Sequence, residues 1–216
     1  MRPGALIGVL AIIAALAPNI AGAKVPSPAN STMPSHILLV GEDAQGQADP
    51  IGAITFVLRD LANVPERQST VRLYFPDTPD LEPSMVQPDP NVSTVFCDGG
   101  GRYVEAITND QGSVTLRVVG RALRSAAGTH DRWAMRLFGD GVLLSNATVS
   151  AVDEDGVGGV GPADLSDFLD DFFSGQYWAR SDFDGDGALG PNDLSVWVRV
   201  FFGPGSVLSG STAACP

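Results

Sequence analysis

"TNDQGSVTLRV", residues 108–118, is a turn followed by a strand, and its pattern organises the first two thirds of the chain. Asn, Asp and Gly together favour a tight turn, with Gly112 able to take the left-handed backbone such turns use. Beyond it Val114, Leu116 and Val118 alternate with Thr115 and Arg117. A period of two puts the apolar side chains on one face of a strand and the polar ones on the other. The same period recurs on either side. Ile54, Phe56 and Leu58 alternate with Thr55 and Val57, and Val71, Leu73 and Phe75 alternate with Arg72 and Tyr74. Trp133, Met135 and Leu137 alternate with Ala134 and Arg136. Thr108–Gly112 and the Asp140-Gly141 pair fit hairpin connections. "PDTPDLEPSMVQPDPN", residues 76–91, is expected to be a long proline-rich loop kept out of any sheet interior.

Seven or eight short strands without a strong helical stretch predict a mainly β fold over residues 36–152, an immunoglobulin-like (Ig-like) β-sandwich. The "TNDQG" turn and the strand spacing are similar to bacterial Ig-like modules of the invasin type, in which a T-D-x-x-G turn recurs. Ahead of this domain, "KVPSPANSTMPS" over 24–35 has little to bury and reads as a flexible leader. Arg2, the apolar run "ALIGVLAIIAALA" (Ala5–Ala17) and "AGA" (Ala21–Ala23) have the layout of a secretory signal peptide over 1–23. That run is too short to span a bilayer comfortably. The mature protein is therefore expected to be secreted, extracellular or at a bacterial cell surface, with no membrane insertion after cleavage.

The formal charge of −12 is uneven. From Asp153 onward there are 11 acids and two arginines, against 14 acids and 10 bases from Lys24 to Val152. The break near residue 152 marks an expected domain boundary. An acidic chain with one lysine and no basic run is a poor match for nucleic acid or anionic membrane, and a better one for cations. Cys97 and Cys215 are too few for a disulfide scaffold or zinc site; export permits a bridge between them, and two separate thiols fit equally well. No catalytic motif emerges. His36 and His130 stand near no serine or cysteine motif, there is no G-x-S-x-G or H-E-x-x-H, and Lys24 alone precludes an S-x-x-K pair.

The acidic segment is an internal duplication with an offset of 29 residues. Asp153, Asp155, Gly158 and "GPAD" (161–164) match Asp182, Asp184, Gly187 and "GPND" (190–193). Phe168, Phe172 and Phe173 match Trp197, Phe201 and Phe202. Each copy is a loop followed by a helix, because Leu165, Phe168, Leu169 and Phe172, like Leu194, Trp197, Val198 and Phe201, fall at i, i+3, i+4 and i+7. Pro162 and Pro191 sit at the first helical turn, and Gly175 and Gly203 end the helices.

A twelve-residue calcium loop needs oxygen ligands at positions 1, 3, 5, 7 and 12 and glycine at 6. Counted from Asp182, these are Asp182, Asp184, Asp186, the Ala188 carbonyl and Asp193, with Gly187 at 6. Leu189, at position 8, is expected to join the two loops through a short β-bridge. The first loop keeps Asp153, Asp155, the Gly159 carbonyl and Asp164, but position 5 is Val157. One strong Ca2+ site and one weak or degenerate site are expected, with water or Glu154 filling the lost place only if the loop rearranges. "GVGGVG" (156–161) matches a dinucleotide fingerprint literally, but no βαβ unit surrounds it and the duplication accounts for most of its glycines.

Aspartate at position 12, the missing entering helix and the duplication together resemble type I dockerin modules, over residues 153–203, with 204–216 as a tail. The resemblance implies docking onto a cohesin-like or other scaffold or surface protein, with Phe168, Phe172, Trp197 and Phe201 as core or interface. The positions at which cellulosomal dockerins touch cohesin hold Pro162, Ala163, Pro191 and Asn192, a departure from the family pattern. The function expected is that of a secreted, non-catalytic calcium-binding attachment protein. The alternative is a small secreted polysaccharide-active enzyme or carbohydrate-binding protein carried by a dockerin.

Overall fold

The alternating runs become strands of two sheets that enclose one apolar core. The computed structural model describes residues 25–75, 81–89, 93–98, 101–122 and 135–203, with backbone alone over 82–89, 93–98 and 101–102. Strands β1 (His36–Leu39), β9 (Val142–Ala151), β8 (Met135–Gly139), β3 (Thr70–Phe75), β6 (Gly101–Ile107) and β5 (Ser93–Asp98) form the larger sheet in that order. Strands β2 (Ala53–Val57), β7 (Ser113–Ala122) and β4 (Leu81–Asp89) form the smaller one. The described strand pairings are antiparallel except β1 with β9, and Val40, just past β1, makes a parallel bridge to Val119 of β7. Val71, Leu73 and Phe75 of one sheet meet Phe56, Val114, Leu116 and Val118 of the other in a common buried cluster. The chain is mainly β and β-sandwich-like, with the predicted faces turned inward.

Three local expectations change. "TNDQG" is not a hairpin, because it links β6 and β7, which lie in different sheets. It is still a tight turn: Asn109 Oδ1 accepts from the Gln111 and Ser113 amides at 2.9 and 3.0 Å, and Gly112 has φ +71°. A Cβ on Gly112 would stand 2.5 Å from the Leu58 carbonyl, so the turn tucks under the neighbouring chain. The expected long loop of 76–91 contains β4. Its position at the sheet edge tolerates Pro83 and Pro88, since one side of an edge strand needs no N–H partner, and the register shifts between Pro83 and Met85. The segment expected to be a flexible leader is tied down from residue 26. Ser27 N–H donates to the Arg59 carbonyl, Thr32 and Val57 exchange two backbone bonds, and Met33 packs on the core. Its cause is the open edge of β2, whose unpaired backbone groups offer partners. Asp140-Gly141 does close the β8–β9 hairpin, with φ of +45° and +82°, as a two-residue turn of this kind requires.

The composition break at residue 152 is not a structural gap. Helices α1 (Pro162–Phe173) and α2 (Pro191–Phe201) pack on the sheets through a second core. There Leu38, Val40, Val119 and Val152 meet Val160, Phe168, Phe183, Trp197 and Val200. Alternation along β1 explains the sharing: Ile37 and Leu39 enter the first core, Leu38 and Val40 the second. The unbroken apolar run "ILLV" at 37–40 is what a strand covered on both faces looks like. No helix among the described residues is long and apolar enough to cross a membrane. The signal segment 1–23, the tail 204–216, His130 and Trp133 lie outside the described residues, as does Cys215; Cys97 is described only as β5 backbone.

Candidate metal centre

Both acidic loops are built the same way from their helix starts. Gly161 and Gly190 are N-caps, followed by Pro162 and Pro191 at the first helical position, where the missing N–H costs nothing. Asp164 and Asp193, three residues into their helices, turn back to the loops. Asp164 Oδ2 accepts from Gly161 N–H at 2.6 Å, and its Oδ1 accepts from the Glu154 and Asp155 amides at 2.6 and 3.0 Å. Asp193 repeats this with Gly190 at 2.8 Å and Asp184 at 3.1 Å. One short carboxylate therefore caps the helix and fastens the loop, a physical reason for aspartate at position 12. Gly156, Gly158, Gly159, Gly185 and Gly187 all have φ between +72° and +89°, which lets each loop wind tightly.

This winding draws together Asp153, Asp155 and Asp164 in the first loop and Asp182, Asp184 and Asp193 in the second. Within each group one carboxylate oxygen per residue lies within 4.8 Å of the others. Like charges so close are unfavourable in a buried site. Burial, then the neighbouring Asp164, pushes the Asp153 carboxyl up to about 7, with the Gly156 amide opposing. Burial likewise raises Asp164 and Asp193, against the backbone amides that each accepts. Asp182 Oδ1 is buried without a hydrogen-bond partner. Hard, anionic, converging oxygens with one orphaned among them suit a divalent cation such as calcium. Asp186 stands apart from its group: it is exposed, and its Oδ1 accepts from Ala188 N–H at 2.9 Å. Gly159 is buried and Ala188 exposed, as the seventh residues of their loops. Val157, in the fifth place of the first loop, is exposed. No β-bridge joins Leu189 to the first loop among the described residues; the counterpart Val160 is instead part of the second core.

Several side chains around the loops were not legible as functional from their types. Glu154 does not serve the first loop. It is fully buried, turned toward Arg180 at 4.0 Å, and its carboxyl is pushed well above the usual range by burial and then by Asp171. Asp171 accepts from Arg180 Nε and Nη2 at 2.7 and 2.6 Å and from Ser181 Oγ at 2.6 Å. Tyr177 donates to Asp182 Oδ2 at 2.6 Å; burial and that acceptor raise its pKa. His36 reaches the second loop from β1. Its Nε2 is 2.8 Å from Ser150 Oγ, its pKa is lowered by burial against the pull of Asp182 and Asp184, and Gly185 lies against its ring. One sequence signal was present: in the duplication Glu154, Asp171, Arg180 and Ser181 stand where the other copy has Phe183, Val200, Ala151 and Val152.

The four aromatics named for core or docking separate. Phe168 and Trp197 are 2% and 4% exposed and belong to the second core, so they are not available as an interface. Phe172 is exposed and Phe201 half-buried, stacked on Phe168 and Trp197 at 6.2 and 4.8 Å. Among the described residues the most exposed rings are their neighbours Phe173 and Phe202, at 77% and 80%.

No protein-family model and no curated protein sequence matches the chain. Among solved structures, a non-cellulosomal cohesin from the hyperthermophilic archaeon Archaeoglobus fulgidus is similar at 16% identity, over 56% of this chain and 87% of that one. Its TM-score of 0.26 establishes no common fold.

Proposed function

We propose that the chain is a secreted, non-catalytic calcium-binding protein in which an Ig-like sandwich carries a dockerin-like pair of loop–helix units for protein–protein or cell-surface attachment. The observation that carries this reading is the recurrence of three converging carboxylates at positions 1, 3 and 12 of both loops. Asp182, Asp184 and Asp193, with Asp186 and the Ala188 carbonyl as further oxygen donors, would hold the stronger ion. Asp153, Asp155, Asp164 and the Gly159 carbonyl would hold the weaker one. Bound calcium supplies the positive charge that crowded, buried carboxylates lack. Because the second core is shared, closing the loops also steadies the contact between helices and sheets. Attachment on this reading uses the solvent side of the helices, where Phe173 and Phe202 stand exposed at equivalent positions.

Thermal melts of the full chain in calcium and in chelator test the metal reading. Calcium at a hundredfold excess over Kd is expected to add about 2.7 kcal/mol of stability. Asp186→Ala is expected to remove most of that gain while changing the ion-free melt only by the loss of one exposed hydrogen bond from the Ala188 amide. Superimposable wild-type melts in the two buffers would sink the reading. Pull-downs with and without calcium, repeated with Phe173→Ala/Phe202→Ala, test attachment.

One observation favours a glycan-binding sandwich as a second reading. A cavity of about 430 Å3 on the outer face of the larger sheet is lined by Arg72, Tyr74, Glu105 and Phe138, aromatic walls beside an ion pair. A glycan array with a reducing-sugar assay on the full chain separates binding from hydrolysis, and no retained glycan removes this reading.

A further inference from the structure

The duplication gives the two halves matching buried positions of opposite chemistry. In each half, position 2 of a loop, a residue from that loop's helix and the two residues leading into the other loop are all buried. In one half these are Phe183, Val200, Ala151 and Val152, all apolar; in the other they are Glu154, Asp171, Arg180 and Ser181. We propose that this polar set couples the two metal loops, so that an ion held by one raises the affinity of the other; the inference rests on the calcium reading above.

Chain connectivity and directional bonding argue for it. Glu154 is flanked by Asp153 and Asp155 of the first metal group, and Ser181 is followed at once by Asp182 of the second. Asp171, on α1, grips the entry to the second loop by three charge-assisted hydrogen bonds of 2.6 to 2.7 Å, two from the planar fork of Arg180 and one from Ser181. Such bonds hold narrow angles, so a shift of Asp182 as its group closes is passed to α1. The first turn of α1 carries Asp164, which accepts from the Glu154 and Asp155 amides. The apolar set joins its elements by side-chain packing alone, whereas the polar set adds side-chain hydrogen bonds, which concentrates the directional coupling in the polar one. Arg180 and Ser181 are thus positioning residues for the second loop, and Asp171 carries their placement to the first.

Terbium titration of the full chain tests this. Tyr177, whose hydroxyl is 2.6 Å from Asp182 Oδ2, is placed to sensitise terbium luminescence at the second loop. Disabling the first loop by Asp155→Asn is expected to weaken terbium at the second loop at least about fivefold. In an Asp171→Asn background the same change should weaken it by less than about twofold, the coupling having been removed. Ser181→Ala, which keeps the Arg180–Asp171 pair, should give an intermediate value and covers the case in which Asp171→Asn does not fold. An unchanged second-loop affinity in Asp155→Asn overturns the coupling, as does a full effect surviving both Asp171→Asn and Ser181→Ala. Absence of any sensitised signal in the wild-type chain overturns the metal reading itself, so the two failures are distinct.

Discussion

Exchanging the buried polar set for its own apolar counterpart tests whether the two halves are physically equivalent. The variant is Glu154→Phe/Asp171→Val/Arg180→Ala/Ser181→Val, each residue taken from the matching place 29 positions away. Its comparison is the single change Asp171→Ala. That change removes the acceptor of three hydrogen bonds of 2.6 to 2.7 Å and leaves the Arg180 guanidinium buried, with Glu154 still 4.0 Å away. Stranding one partner of a buried ion pair costs about 3–5 kcal/mol. Replacing a whole buried ionic set by apolar residues that pack is neutral or stabilising by about 1–4 kcal/mol. Loss of Arg180 from the Trp178 ring, 4.2 Å away, takes back about 0.5–1 kcal/mol. Urea unfolding in saturating calcium, read by midpoint at constant slope, should place the fourfold variant between about 1 kcal/mol below and about 3 kcal/mol above wild type, and Asp171→Ala about 3–5 kcal/mol below it. A fourfold variant as unstable as the single one would refute the equivalence of the halves.

Other expectations follow from the same geometry. Phe168→Ala or Trp197→Ala should cost about 3–5 kcal/mol, whereas Phe173→Ala or Phe202→Ala should stay within about 0.5 kcal/mol, by the same urea measurement. Gly185→Ala sets a Cβ 2.4 Å from His36 Cγ at φ +72°, while Gly187→Ala meets open space at φ +89°. Melting should therefore fall further for Gly185→Ala, with Gly187→Ala limited to backbone strain of about 1–3 kcal/mol. Asp153 is raised from an ordinary value of 3.8 to about 7, so the ion-free fold binds its proton more tightly than the unfolded chain does. The part of the ion-free stability set by these carboxyls should accordingly fall as pH rises from about 4 to about 7 and level off above, with Asp164 and Asp193 shifted in the same direction and the lowered His36 acting in the opposite one. Calcium removes that penalty, so the calcium-dependent gain in Tm should grow over the same window; a gain independent of pH would contradict it.

Much of the fold was readable because period and turn chemistry are local. Val71, Leu73 and Phe75, and Val114, Leu116 and Val118, point inward as their alternation requires. The helices begin at Pro162 and Pro191, where the prolines put them. The grouping of Asp153 with Asp164 and of Asp182 with Asp193 also follows a local rule, since a twelve-residue loop must fold back on its own helix start. Which strands share a sheet is not local. The turn at Thr108–Gly112 has the residues of a hairpin, yet its flanking strands go to different sheets. Proline content marked 76–91 as a loop, but an edge position satisfies the backbone of Pro83 and Pro88 within β4.

By itself the sequence determined the strand faces, the duplication and the carboxylates that converge in each loop, because these depend on neighbours within a dozen residues. Only the tertiary structure decided that the acidic segment shares a core with the sheets. That outcome depends on Leu38 and Val40 having a second face to cover, a demand set by strands more than a hundred residues away in the chain. The same packing committed Phe168 and Trp197 to the interior and left Phe173 and Phe202 in solvent, a choice that helical period alone could not make. It also placed Glu154 beside Arg180 rather than in the first loop, a position set by what the second element presents at 4.0 Å.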